Sequence, residues 1–72
     1  MAEQSDELQK LISVATDMVM DTKLRTKSME LIGNIGTHQA LLALLDLAAN
    51  EKLSKGEREL SLKLARTIIR SG

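Results

Sequence analysis

The chain has 72 residues, enough for one domain around one modest core. Ten Lys or Arg balance ten Asp or Glu, there is one His, and Cys, Phe, Tyr and Trp are absent. These counts exclude disulfides, thiolate metal sites, cysteine nucleophiles and a multi-histidine metal centre, and the zero net charge argues against a dedicated nucleic-acid binder.

The apolar residues fall into four helical patterns. In the first, Leu8, Leu11, Ile12, Ala15, Met18 and Val19 recur at three and four, predicting a helix over about 6–20 with Ser5 or Asp6 as its cap. Asp21 or Thr22 can cap the second, about 22–35, in which Leu24, Ser28, Leu31, Ile32 and Ile35 share a face. Gly33 interrupts this pattern and is read as a point of close helix packing or of early fraying, the alternative being a glycine that contacts a ligand. Gly36 is the terminator, because glycine readily takes the left-handed conformation that ends a helix. Thr37 caps the third, about 38–49, whose ALLALLDLAA run is broken only by Gln39 and Asp46. A helix apolar nearly all round is expected in the middle of a domain. Ser54 and Glu57 have capping-box spacing for the fourth, about 55–70, with Leu60, Leu64, Ala65 and Ile68 as core and Leu62 and Ile69 on the flank.

Sliding the chain along itself until Leu8 falls on Leu41 superposes the halves. At that one offset Leu11 meets Leu44, Ile12 meets Leu45 and Ala15 meets Ala48; Met29 meets Leu62, Leu31 meets Leu64, Ile32 meets Ala65 and Ile35 meets Ile68. Two helices per unit at this period suggest a helical solenoid unit. Over residues 32–69, IGNIGTHQALLALLDLAAN followed by GERELSLKLARTII resembles the HEAT and armadillo class of helical repeats; residues 6–35 carry the likeness more weakly. The chain lacks the proline often found in the first helix of such repeats and the Asp-x-x-x-Arg arrangement of their inter-helix turn. The resemblance implies two stacked antiparallel helical hairpins and protein binding through a helical surface, and it implies no chemistry. The alternative is a compact four-helix bundle.

Few residues invite a chemical reading. His38, near a helix start, lacks a nucleophile or carboxylate beside it in sequence and reads as a surface or turn-packing residue. Asp46 reads as part of a solvent strip with Gln39, the sharper alternative being a contact with Arg58, Arg66 or a partner. Lys23, Arg25 and Lys27 scatter over two sides of their helix, whereas Lys63, Arg66 and Arg70 share a face with Glu59. Met18, Met20 and Met29 are adaptable gap fillers for a core without aromatics.

The expected function is a protein-protein interaction or self-association module with a regulatory, adaptor or scaffold role, not an enzyme, and without cofactor or metal. The candidate partner-binding residues are the surplus apolar Leu42, Leu47, Leu62 and Ile69, with the basic Lys63, Arg66 and Arg70. The partner would be another protein or a second copy of the chain. The alternative is a small nucleic-acid-binding regulator using the basic face of the last helix. No apolar run is long enough to span a membrane, and the polar start MAEQSDELQK lacks the order of a secretion signal, so cytoplasmic or other intracellular residence is expected.

Overall fold

A computed structural model describes the backbone of residues 2–71 and the side chains of residues 6–71. It contains four helices: α1 (Ala2–Ala15), α2 (Thr22–Ile35), α3 (His38–Ala48) and α4 (Lys55–Ser71). Consecutive helices pack in pairs, α1 on α2 and α3 on α4, while α2 also lies against α3 and α4. The result is an all-α globular bundle of short helices. Its Cα radius of gyration is 11.1 Å, close to the ~11 Å of a compact chain this long.

The helix ends follow from local chemistry. Gly36 stops α2 at φ 68°, where an L side chain would be strained. Thr37 caps α3, its Oγ1 accepting the Ala40 N–H at 3.1 Å. The capping box of α4 closes in both directions: Glu57 N–H donates to Ser54 Oγ at 3.2 Å, and Ser54 N–H donates to Glu57 Oε1 at 3.0 Å. Asp21 occupies the cap position of α2 but makes no side-chain capping bond.

The first helix departs from expectation at both ends. Ser5 and Asp6 lie inside α1 instead of capping it, and α1 ends at Ala15, not near Met20. Asp17 turns the chain: its Oδ1 accepts the Val19 N–H at 2.9 Å, and its carbonyl accepts the Met20 N–H at 3.1 Å. A short acidic side chain that binds nearby backbone competes with helix continuation. Met18 and Val19 therefore sit exposed on a turn instead of in the core.

The core is Leu8, Ala15, Met29, Ile32, Ala40, Ala43, Leu44, Leu47, Leu53 and Ala65, edged by Leu11, Ile12, Ile35, Leu41, Leu60, Leu64 and Ile68. Two sequence expectations are corrected below, and a third holds in part: α3, like α2, touches all three other helices, but it leaves Leu42 and Leu45 exposed. The inner stripe of α2 is Arg25, Ser28, Met29 and Ile32; Leu24 and Leu31 face outward. Buried Glu57 and Ser61 join Ala65 on the inner side of α4, so this stripe is more polar than the Leu60, Leu64, Ile68 pattern suggests.

Small and polar residues set the approach of α2 and α4. Ser61 is fully buried, its hydroxyl donating to the Glu57 carbonyl at 3.1 Å with Met29 Sδ 3.5 Å away. A Cβ on Gly33 would stand 3.2 Å from Leu64 Cδ2, so this glycine marks close helix packing. The contacts Arg25 to Glu57, Met29 to Ser61 and Gly33 to Leu64 advance together, so α2 and α4 run in the same direction.

The two inter-helix turns are built alike. Backbone bonds Thr16 N–H to Ile12 O, Asp17 N–H to Val14 O and Met20 N–H to Asp17 O recur as Ala49 to Leu45, Asn50 to Leu47 and Leu53 to Asn50. The side-chain turn recurs as well, with Asn50 Oδ1 accepting the Lys52 N–H at 2.9 Å as Asp17 Oδ1 accepts that of Val19. Every donor and acceptor keeps the offset that carries Leu8 onto Leu41.

Candidate functional site

Among the described residues one ion pair forms within 4.0 Å: Arg25 Nε donates to Glu57 Oε2 at 2.7 Å, with side chains only 11% and 4% exposed. Arg25 Nη1 also donates to the carbonyls of Met20 at 2.6 Å and Asp17 at 3.3 Å, while Nη2 reaches Thr22 Oγ1 at 3.2 Å. One guanidinium thus ties the first turn, the start of α2 and the start of α4 together. Burial pushes the Glu57 carboxyl upward, but hydrogen bonds from Arg25 and from the backbone and side chain of Ser54 outweigh it, so its pKa lies below the ordinary value. By sequence Arg25 groups with Lys23 and Lys27 as a basic cluster; the fold turns Arg25 inward and leaves Lys23 exposed and Lys27 at the surface. Nothing local in sequence signals this pairing across the two hairpins.

The outer side of α4 carries most of the candidate binding residues. Leu62 is 40% and Ile69 60% exposed, and their spacing of seven puts them on one face. Lys63, Arg66 and Arg70 line one shallow depression with Thr67 beside that stripe. Higher on the helix, Arg58 and Leu62 line a second depression with Ala48, Lys55 and Glu59. The structure therefore unites five of the seven candidates on α4. Leu42 lies elsewhere, 49% exposed in a groove between α1 and α3 lined also by Leu8, Gln9, Ile12, Gln39, Ala43 and Asp46. Leu47 is not available to a partner: it points into the core at 2% exposure.

Asp46 is exposed beside Gln39, on the solvent strip. His38 stands at the first position of α3, at the surface. Met29 fills the core, whereas Met18 and Met20 remain at the surface. Among the described residues no group of three or more His, Cys, Asp or Glu could hold a metal ion, and no helix is long and apolar enough to cross a membrane.

Compared with protein-family models, with curated proteins and with solved structures, the chain matches none.

Proposed function

We propose that the chain is a protein-binding helical module of adaptor or scaffold type, with the outer face of α4 as its docking surface. The observation that carries this reading is the exposure of Leu62 and Ile69 on one face of a helix whose opposite face is already used by the core. Large side chains left open at helical spacing, rimmed by Arg66 and Arg70, have the make-up of a helix-binding interface. The recurrence of the turn bonds from one hairpin to the next supports the helical-repeat architecture that the sequence resembles, and repeat units bind through such lateral surfaces.

The test is the double variant Leu62→Glu, Ile69→Glu. Both side chains are surface groups, so the variant keeps its helicity and its unfolding midpoint while losing the partner that the wild-type chain retains. A variant that unfolds instead would show that both residues serve the fold, and the docking reading would fall. The second reading, nucleic-acid binding, is favoured by the grouping of Lys63, Arg66 and Arg70 in one depression. It requires affinity for DNA or RNA that drops steeply with salt and drops again when these three residues are neutralised.

A further inference from the structure

Arg25 has a counterpart that lacks its partner. Arg25 is the fourth residue of α2, and Arg58, its equivalent in the second hairpin, is the fourth residue of α4. Their backbones are held alike, Arg25 N–H donating to Asp21 O and Arg58 N–H to Ser54 O, both at 3.0 Å. Arg25 Nε meets a carboxylate from the first turn of the neighbouring helix. Arg58 Nε is shut off from solvent and finds no acceptor among the described residues. A buried charged donor without an acceptor is costly and rare.

The residues that follow Arg58 extend the correspondence. Met29 and Gly33 on α2 are covered by α4; their counterparts Leu62 and Arg66 on α4 are open. The outer face of α4 is thus the equivalent of a face that, on α2, already holds a helix. We propose that this face binds an acidic amphipathic helix of a partner protein, whose first turn presents a carboxylate to the part-exposed Arg58 guanidinium, the side chain turning outward on docking so that its Nε gains the kind of acceptor Glu57 gives Arg25. This rests on the protein-binding reading above and adds the partner's chemistry.

Charge selects the partner. Helix α4 holds Lys55, Arg58, Lys63, Arg66 and Arg70 against Glu57 and Glu59, and Glu57 is already bound by Arg25. An acidic helix meets complementary charge there; a second α4 would set like against like. Stacking a second copy in the register of α2 on α4 fails for two further reasons. The residue at the place of Glu57 would be Leu24, which offers no carboxylate, and Arg66 stands where Gly33 lets the helices close up.

The probe is a labelled peptide of residues 53–71 carrying Lys55→Gln, Arg58→Gln, Lys63→Glu, Arg66→Glu and Arg70→Glu. It keeps Ser54, Glu57 and the inner apolar face while removing the positive charge. Fluorescence anisotropy should show binding to the wild-type chain and none to Leu62→Glu, Ile69→Glu. Arg58→Gln, and equally Arg58→Lys, which keeps the charge but not the Nε donor, should weaken binding at least about tenfold. Neither change should lower the melting midpoint of the free chain, since this Nε has no acceptor to lose. Glu57→Gln in the peptide should cost as much, and the two changes together no more than either alone. If Arg58→Gln leaves affinity unchanged while Leu62→Glu, Ile69→Glu abolishes it, docking stands and the carboxylate pairing is overturned. A wild-type chain that ignores the peptide overturns the inference. So does a stable dimer that Leu62→Glu, Ile69→Glu dissociates, because the occupant would then be a second copy.

Discussion

Replacing Glu57 by Ala tests the link between the two hairpins. The carboxylate accepts from Ser54 N–H through Oε1 and from Arg25 Nε through Oε2. Loss of one partner of a buried pair costs about 3–5 kcal/mol, because the other charge is stranded. Arg25 keeps its bonds to the carbonyls of Asp17 and Met20, which places the cost near the lower end, at about 3 kcal/mol. Losing one arm of the capping box adds about 0.5–1 kcal/mol. A domain this short is stable by ~4–11 kcal/mol, so Glu57→Ala should remove a third or more of the total. Urea unfolding followed by far-ultraviolet circular dichroism is the assay, since the chain has no aromatic side chain to report fluorescence. The cycle of Arg25→Met, Glu57→Gln and their combination should give a coupling of at least about 1.5 kcal/mol. Losses that simply add, within about 0.5 kcal/mol, would refute a pair acting as one unit.

Four further predictions concern the same framework. Because the Glu57 pKa is lowered in the folded chain, its stabilising contribution is full above the ordinary value of 4.5 and is lost as pH falls through the lowered value; Glu57→Gln should flatten that acid limb of a stability-pH curve. Gly36→Ala should cost about 1 kcal/mol in chemical denaturation, because φ 68° is unfavourable for an L side chain. Gly33→Ala should change stability by no more than about 0.5 kcal/mol, since a helix-propensity gain of ~1 kcal/mol is offset by the approach of its Cβ to half-buried Leu64. Ser61→Leu should cost about 1–3 kcal/mol by overpacking a fully buried site, whereas Ser61→Ala should be nearly neutral.

Three of the four helices are legible in the sequence, and the stop of α2 and the starts of α3 and α4 rest on local rules. Thr37, Gly36 and the Ser54, Glu57 box act within four residues of themselves, and the structure uses each as expected. The first helix escapes such a reading because the stripe from Leu8 to Val19 keeps helical spacing through Asp17, and periodicity alone does not register a side chain that binds its own turn. On the candidate surface, spacing puts Leu62 and Ile69 on the flank of α4, and they are exposed. Leu47 goes astray because a helix apolar on most sides does not reveal which side a neighbour will cover. Arg25 and Arg58 look like ordinary surface cations for a related reason: whether an arginine is drawn inward depends on a residue of another helix.

The two registers of the chain explain why its internal correspondence is faint. Along the backbone, turns and helix starts recur at the offset that takes Arg25 to Arg58, while contacts between α2 and α4 join Arg25 to Glu57 and Met29 to Ser61, one position short of it. These contacts between units join a residue to one shortly before its counterpart, one position for Arg25 and Met29 and two for Gly33, so the two sides of the interface differ in kind. Arginine is kept at both 25 and 58, but glutamate stands before only the second of them, where Leu24 stands before the first. Leu24 and Leu31 on one side, and Arg58 and Leu62 on the other, are the ends of a pattern that is complete only where α2 meets α4. Substituting Leu24→Glu should leave the fold intact, because this side chain is exposed and touches no part of the Arg25 and Glu57 pair's hydrogen bonding. Combined with Arg66→Gly, which clears the other obstacle to stacking, it would also place a carboxylate where a second copy of the chain can offer it to Arg58. A rise in solution mass by light scattering, absent when Arg58→Gln is added, is the expected result; a mass that stays that of the monomer would show that pairing at this position does not direct the stacking of helical units.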